Sequence, residues 1–294
     1  MIEINNLTKD YGDEKGIFNL SFDVKQGEVF GFLGPNGAGK TTTIRHLMGF
    51  IHSDGGSCSI NNLDCGTCSA EIQKNLGYVP GEIAFFDNMT GTQFIHFIAS
   101  YRGVKDWNRV ESLIKRFELD TKGKLKKMSR GMKQKMGIVC GFIHDPDVLI
   151  LDEPTSGLDP LMQNVFVELI LEEKAKGKTI LMSSHIFEEV EKTADRVGII
   201  KKGRLVAVDS VSNLKSSRRK KYIITLENEI AAADFASEFF DDKSQSNNVV
   251  TVTIKQNIKK FIEVLNRYPV TNIDVAEQSL EDVFLHYYGG NSND

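Results

Sequence analysis

Two kinds of apolar pattern alternate along this chain, and they predict different elements. Runs that are apolar throughout, Val29-Phe30-Gly31-Phe32-Leu33 and Val148-Leu149-Ile150-Leu151, predict strands buried on both faces, as in a parallel sheet covered by helices. Thr179 to Met182 reads as another such strand, and Asp195 to Gly203 as a last strand and turn. Ile2 to Ile4 and Leu20 to Val24 read as short strands around a turn-rich segment holding Tyr11. Asp54-Gly55-Gly56 is a turn signal, and Gly77-Tyr78-Val79-Pro80 a strand that ends at a breaker. The period then changes. Phe94, Phe97, Ile98 and Tyr101, followed by Val110, Leu113, Ile114 and Phe117, fall at helical spacing and predict a helical insertion over about 88–145.

After residue 210 the pattern changes again. Lys215-Ser216-Ser217-Arg218-Arg219-Lys220-Lys221 marks a basic linker at 211–221, of the kind usually solvated. Strands at Tyr222 to Leu226 and Val249 to Ile254, with helices at Ala231 to Phe240 and Ile258 to Tyr268, predict a small α+β domain over 222–294. The chain as a whole reads as α/β with a second, smaller domain.

The junction between the first buried strand and the helical pattern starting at Thr42 is Gly34-Pro35-Asn36-Gly37-Ala38-Gly39-Lys40-Thr41, a phosphate-binding loop. Its glycines allow successive backbone N–H groups to turn inward on a phosphate at a helix N-terminus. Lys40 can then reach the β- and γ-phosphates, and the Thr41 hydroxyl can ligate magnesium. Tyr11 lies upstream by about the reach needed to stack on a purine. Asp152-Glu153 closes the wholly apolar run, at the strand end where open α/β sheets bind ligands. Asp152 is suited to hold magnesium through water, and Glu153 to polarise the water that attacks the γ-phosphate. His185, after the next buried strand, is placed to contact that phosphate. Ser129 is well placed as a helix N-cap.

Composition narrows the setting. The 294 residues are 40% hydrophobic, enough for real cores, and a net charge of −4 supplies no basic field, so nucleic acid is not an expected partner. No apolar run of about 18 residues occurs and no signal-peptide pattern opens the chain, which predicts a cytosolic setting. Cys58, Cys65 and Cys68 cluster near His52. Cys58 falls in a strand-like alternation and no second tight ligand pair is present, which favours packing over a zinc site. Cys140 sits in an apolar helical stretch.

From about Ile2 to Val208 these residues resemble the ATP-binding subunits of ATP-binding-cassette (ABC) transporters. Gly34 to Thr41 resembles the Walker A loop, Val148 to Glu153 the Walker B strand, Ser129 to Met132 the family signature, Ser156 to Asp159 the D-loop, and His185 the switch histidine. The closing Ser279 to Gly289 is similar to the tail of bacterial exporter subunits whose membrane subunits are separate chains. The resemblance implies a P-loop NTPase cassette at 1–210, with a RecA-like core, an antiparallel β subdomain and the helical insertion. It implies binding of ATP and magnesium by Tyr11, the loop from Gly34 to Thr41, Thr42 and Asp152, and hydrolysis by Lys40, Glu153 and His185. It also implies that each nucleotide lies between one copy's Lys40 loop and the Ser129, Gly131 and Asp159 region of a second cassette. The partner would be an integral membrane subunit, met at the cytoplasmic face of the cell membrane, with Ile83, Phe85, Phe86 and Phe94 as candidate docking residues.

Two departures qualify it. Arg130 and Met132 replace residues of the common Leu-Ser-Gly-Gly-Gln signature, so Ser129 and Gly131 are the positions carried over. Where the family usually has a Gln after the strand, this chain has Pro80-Gly81-Glu82, and Glu82 becomes a candidate for that role at the magnesium.

Overall fold

The structure, a computed structural model, describes residues 1–86, 88–216, 220–238, 240, 242–254 and 258–277. In chain order, β1 (Ile2–Asp10) and β2 (Gly16–Val24) are followed by β3 (Val29–Leu33), the phosphate loop and α1 (Lys40–Leu47). Next come β4 (Gly55–Ile60), β5 (Leu63–Asp64), α2 (Ser69–Ile72) and β6 (Leu76–Val79), then the helices α3 (Gly91–Tyr101), α4 (Trp107–Arg116) and α5 (Arg130–Phe142). β7 (Val148–Asp152), α6 (Pro160–Ala175), β8 (Thr179–Ser184), α7 (Phe187–Thr193), β9 (Arg196–Lys201) and β10 (Arg204–Ser210) complete the larger part. The rest comprises α8 (Val211–Ser216), β11 (Lys220–Leu226), α9 (Glu229–Ser237), β12 (Asp242–Ser246), β13 (Val249–Ile254), α10 (Ile258–Leu265) and β14 (Val270–Glu277).

The chain separates into two compact units, Met1–Val211 and Ser212–Asp294. In the first, a six-stranded sheet runs β10-β9-β3-β8-β7-β6, parallel except for the β9–β10 hairpin. Its central strands β3, β7 and β8 are buried at every residue, which is why they read as unbroken apolar runs. An antiparallel sheet, β2-β1-β4-β5, faces it across a core containing Ile2, Ile4, Leu20, Phe22, Phe30, Phe32, Ile44 and Leu47. Phe22 and Phe30 stack there with ring centroids 5.1 Å apart. α5 and β6 pack backbone to backbone: a Cβ at Gly77 would stand 2.3 Å from the Gly141 carbonyl oxygen.

The first two strands are longer than their alternation suggests. β1 continues to Asp10 because register shifts after Ile4 and after Leu7 break the two-residue period, with Asn6 (φ 48°) and Asn19 (φ 51°) taking up the irregularity. In the second unit an antiparallel sheet, β12-β13-β11-β14, packs its own core of Ile224, Leu226, Phe235, Val250, Val252 and Phe261. The sequence reading contained no β12 and no β14. Both are edge strands, and β12 (Asp-Lys-Ser-Gln-Ser) is polar, so neither carries the apolar signal of a covered strand. The segment marked as a basic linker begins with the helix α8 and ends in β11, while the resembling tail Ser279 to Gly289 lies outside the described residues.

Candidate functional site

Between β3 and α1 the backbone turns through two left-handed glycines, Gly37 (φ 77°) and Gly39 (φ 111°), a conformation that a side chain would strain. Gly39 is the N-cap of α1 and supplies no side-chain cap, so the first amides of the helix are left for an anion. Gly34 admits no side chain for another reason: a Cβ would lie 2.4 Å from the carbonyl oxygen of Ile200. Pro35, Asn36 and Gly37 form the exposed tip, and Ala38 is buried beneath them.

Lys40 is 4% exposed, and its amine donates to the carbonyls of Gly34 (2.7 Å) and Pro35 (3.2 Å). The same amine stands 3.2 Å from Glu153 Oε1, and His185 Nδ1 lies 3.4 Å from Glu153 Oε2. Glu153 holds this place with a left-handed backbone (φ 46°), a sparsely populated conformation for a residue with a side chain. Its amide is secured by Ser183, whose hydroxyl accepts from Glu153 N–H at 3.0 Å and donates to Asp152 Oδ1 at 2.6 Å.

Asp152 is 1% exposed, and burial raises its carboxyl above the usual range, opposed by hydrogen bonds from Ser183 and Thr41. A hydroxyl and a buried carboxylate already in contact are the hard oxygen donors that magnesium takes, so the Thr41–Asp152 pair fits that ion.

Lys40, Thr41, Asp152 and Glu153 open onto one cleft of about 920 Å³, lined also by Tyr11, Thr42, Gly81, Glu82, Arg130 and Ser156, whereas His185 and Ser183 stand behind Glu153 and Asp152 rather than on its lining. Tyr11 stands at its rim, 56% exposed, with the Lys9 amine 5.9 Å from the ring centre. Burial, with the Asp152 charge adding to it, pushes the Tyr78 hydroxyl up to about 12, so that side chain stays neutral on the cleft wall. Ser129 caps α5 through Met132 N–H (3.2 Å) and Asp159 caps α6 through Met162 N–H (3.0 Å), both exposed. Among the described residues lining the cleft, the signature contributes Arg130 rather than Ser129 or Gly131.

The sequence model of the ABC transporter family matches residues 17–156. The bacitracin transport ATP-binding protein BcrA of Bacillus licheniformis is 35% identical to this chain over 99% of it and 98% of that relative. The chain is an ATP-binding subunit of the ABC transporter family. The linearmycin resistance ATP-binding protein LnrL of Bacillus subtilis is 30% identical, over 98% of each chain. A solved ATP-binding subunit of an ABC transporter superposes with a TM-score of 0.68 at 31% identity, covering 73% of this chain and 92% of its own. A dimeric bacterial ABC transporter cassette shares the fold, with a TM-score of 0.65 at 22% identity, over 72% of this chain and 99% of its own. The expected cassette fold and the ATP-binding role are thereby met.

Sequence reading passed over two residues of this subunit's site. Ser183 was legible only as the neighbour of His185, although the β7–β8 register sets it opposite Asp152. Arg130 reads in the sequence only as a departure from the common signature. Glu82 is exposed at the cleft, and the backbone of Gly81 lies so near the metal-type pair that a Cβ there would be 3.3 Å from Asp152 Oδ2. Away from the cleft, Cys58 on β4 and Cys65 just after β5 are both free thiols, buried and hydrogen-bonded side chain to side chain. Among the described residues no group of three or more His, Cys, Asp or Glu is arranged to hold a metal. No helix among them is long and apolar enough to cross a membrane.

Proposed function

We propose that this chain hydrolyses ATP when two copies, or this chain and a paralogue, close on each other, and that the closure powers an export transporter. Residues 1–210 would be the cassette, with 88–145 as its helical insertion and 222–294 as an accessory domain. The observation that carries the reading is the pair of contacts on Glu153, where Lys40 and His185 from two other segments take one carboxylate oxygen each. In the free chain Glu153 answers the buried charge of Lys40. An entering γ-phosphate would take over Lys40, leaving Glu153 able to accept a proton from water, with His185 at hand for the phosphate. Thr41 and Asp152 would hold magnesium, which when bound neutralises charge building up on the phosphate oxygens. Tyr11 would stack on the base, and Ser129, Gly131 and Asp159 would complete the site of the facing copy. The two named relatives support an exporter of a small molecule, lipid or peptide, seated peripherally on the cytoplasmic face of the membrane through its membrane subunit.

The test is Glu153→Gln, which keeps shape and hydrogen bonding but removes the charge. ATP binding should persist, turnover should fall about 100-fold or more, and ATP should trap a dimer. Near-parental hydrolysis would remove Glu153 from the role of base.

A further inference from the structure

The first two turns of α5 are fastened to the loop after β7 at successive points. Gln134, buried, donates from Nε2 to the Pro154 carbonyl at 2.8 Å. One turn earlier, Arg130 Nη2 donates to Ser156 Oγ at 2.6 Å. The stem of Arg130 lies over Gly157, since a Cβ there would stand 3.1 to 3.2 Å from Arg130 Cγ, Cδ and Nε. Between these ties the backbones meet directly, and a Cβ on Gly131 would fall 2.8 Å from the Gly157 carbonyl oxygen. The loop is itself braced by Ser156 N–H to the Glu153 carbonyl and Leu158 N–H to the Thr155 carbonyl, each 3.0 Å. It begins at Glu153 and ends at Asp159. A glycine at position 130, as in the common signature, would keep the Gln134 tie and lose both the hydrogen bond and the cover on Gly157.

We propose that Arg130 is a positioning residue that locks the α5 N-terminus to the Glu153–Asp159 loop, so that Ser129, Gly131 and Asp159 present one rigid surface to a second copy of this chain. The same lock joins that surface to Glu153, so that arrival of the second copy's nucleotide is felt at the residue assigned to activate water. Arginine suits the place because one arm of its planar fork bonds Ser156 while the stem packs on glycine backbone. This rests on the paired-cassette reading above, and two measurements separate the two ideas.

In the nucleotide-free chain, Arg130→Ala should speed amide exchange at Ser156 and Leu158 by about tenfold, the scale of one lost charge-assisted hydrogen bond. Ser156→Ala should do the same, and the double variant should add little to either, since both remove one tie. In the Glu153→Gln background, at ATP concentrations that saturate each monomer, Arg130→Ala should weaken the ATP-dependent dimer about tenfold. Unchanged exchange, additive losses in the double variant, or a dimer of parental affinity would each overturn the lock. Should Glu153→Gln alone give no ATP-dependent dimer, the paired-cassette reading falls, and the exchange result decides the lock by itself.

Discussion

At Gly81 the chain lacks the side chain its relatives' pattern calls for, and the neighbouring carboxylate is the one available to compensate. Glu82 lines the same cleft as Thr41, Asp152 and Glu153, and the Gly81 backbone lies against Asp152. A carboxylate is a stronger magnesium ligand than an amide oxygen, and bound magnesium would offset the like charges of Glu82, Asp152 and Glu153. Glu82→Ala should therefore raise the magnesium needed for half-maximal hydrolysis by about tenfold and loosen its coupling to transport, while Glu82→Gln should keep much of both. Equal, near-parental values for Glu82→Ala in a magnesium titration would show that the Gln role is dispensed with. Residue by residue, the site was legible where phosphate chemistry favours one residue type: Lys40, Thr41, Asp152, Glu153 and His185, singled out on that ground, stand in a chain of contacts in the structure. Ser183 and Arg130 were not, because a serine or an arginine is ordinary at many positions and only strand register or helix packing shows what it touches.

Among the elements, the helical insertion carries two tests. Phe85 packs edge-on against Phe94 (4.9 Å between centroids), and Phe86 meets Phe97 (6.3 Å), yet Phe86 is 61% exposed while Phe94 is buried. Of the candidate docking residues, then, Phe94 belongs to the packing and Phe86 to the surface. Phe86→Asp should leave folding and ATP binding intact and prevent co-purification with the membrane subunit; an unfolded variant would place Phe86 in the core instead. At the other end of the insertion, after α5, His144 Nε2 donates to the Leu76 carbonyl at 3.2 Å while Nδ1 is buried without a partner. Burial, with the nearby charge of Arg102 adding to it, brings the His144 pKa down to about 4. The folded value lies below the unfolded one, so the unfolded chain binds more protons between them, and stability falls as pH drops below about 6.5. Denaturant titrations should show a loss of about 1 kcal/mol from this group between pH 7 and pH 5, after allowing for solvent screening at a half-buried site, and His144→Gln should reduce the loss to what His46, its pKa lowered by burial in the same unit, contributes. An unchanged pH slope in the variant would assign the loss to other groups. Helix spacing announced this insertion, but the exposure of Phe86 was hidden, because an aromatic pair after a proline reads the same whether it faces core or partner.

Over the whole molecule, the two compact units have separate cores, and every residue assigned to the nucleotide lies in the first. Separate cores unfold as separate cooperative transitions unless an extensive interface joins them. ATP with magnesium should therefore raise one transition and leave the other in place. At about 100 times its dissociation constant a ligand adds about 2.7 kcal/mol, which for a unit near 200 residues is about 5–10 °C in midpoint. Residues 1–216, which retain α8 with its buried Val211 and Leu214, should reproduce the shifted transition alone and bind ATP as the full chain does. A single transition that moves as a whole with ATP, or a truncated chain that fails to fold, would mean that the cassette depends on the second unit, with its Phe235–Phe261 core, for its stability. Calorimetry of the two chains, with and without nucleotide, distinguishes these outcomes.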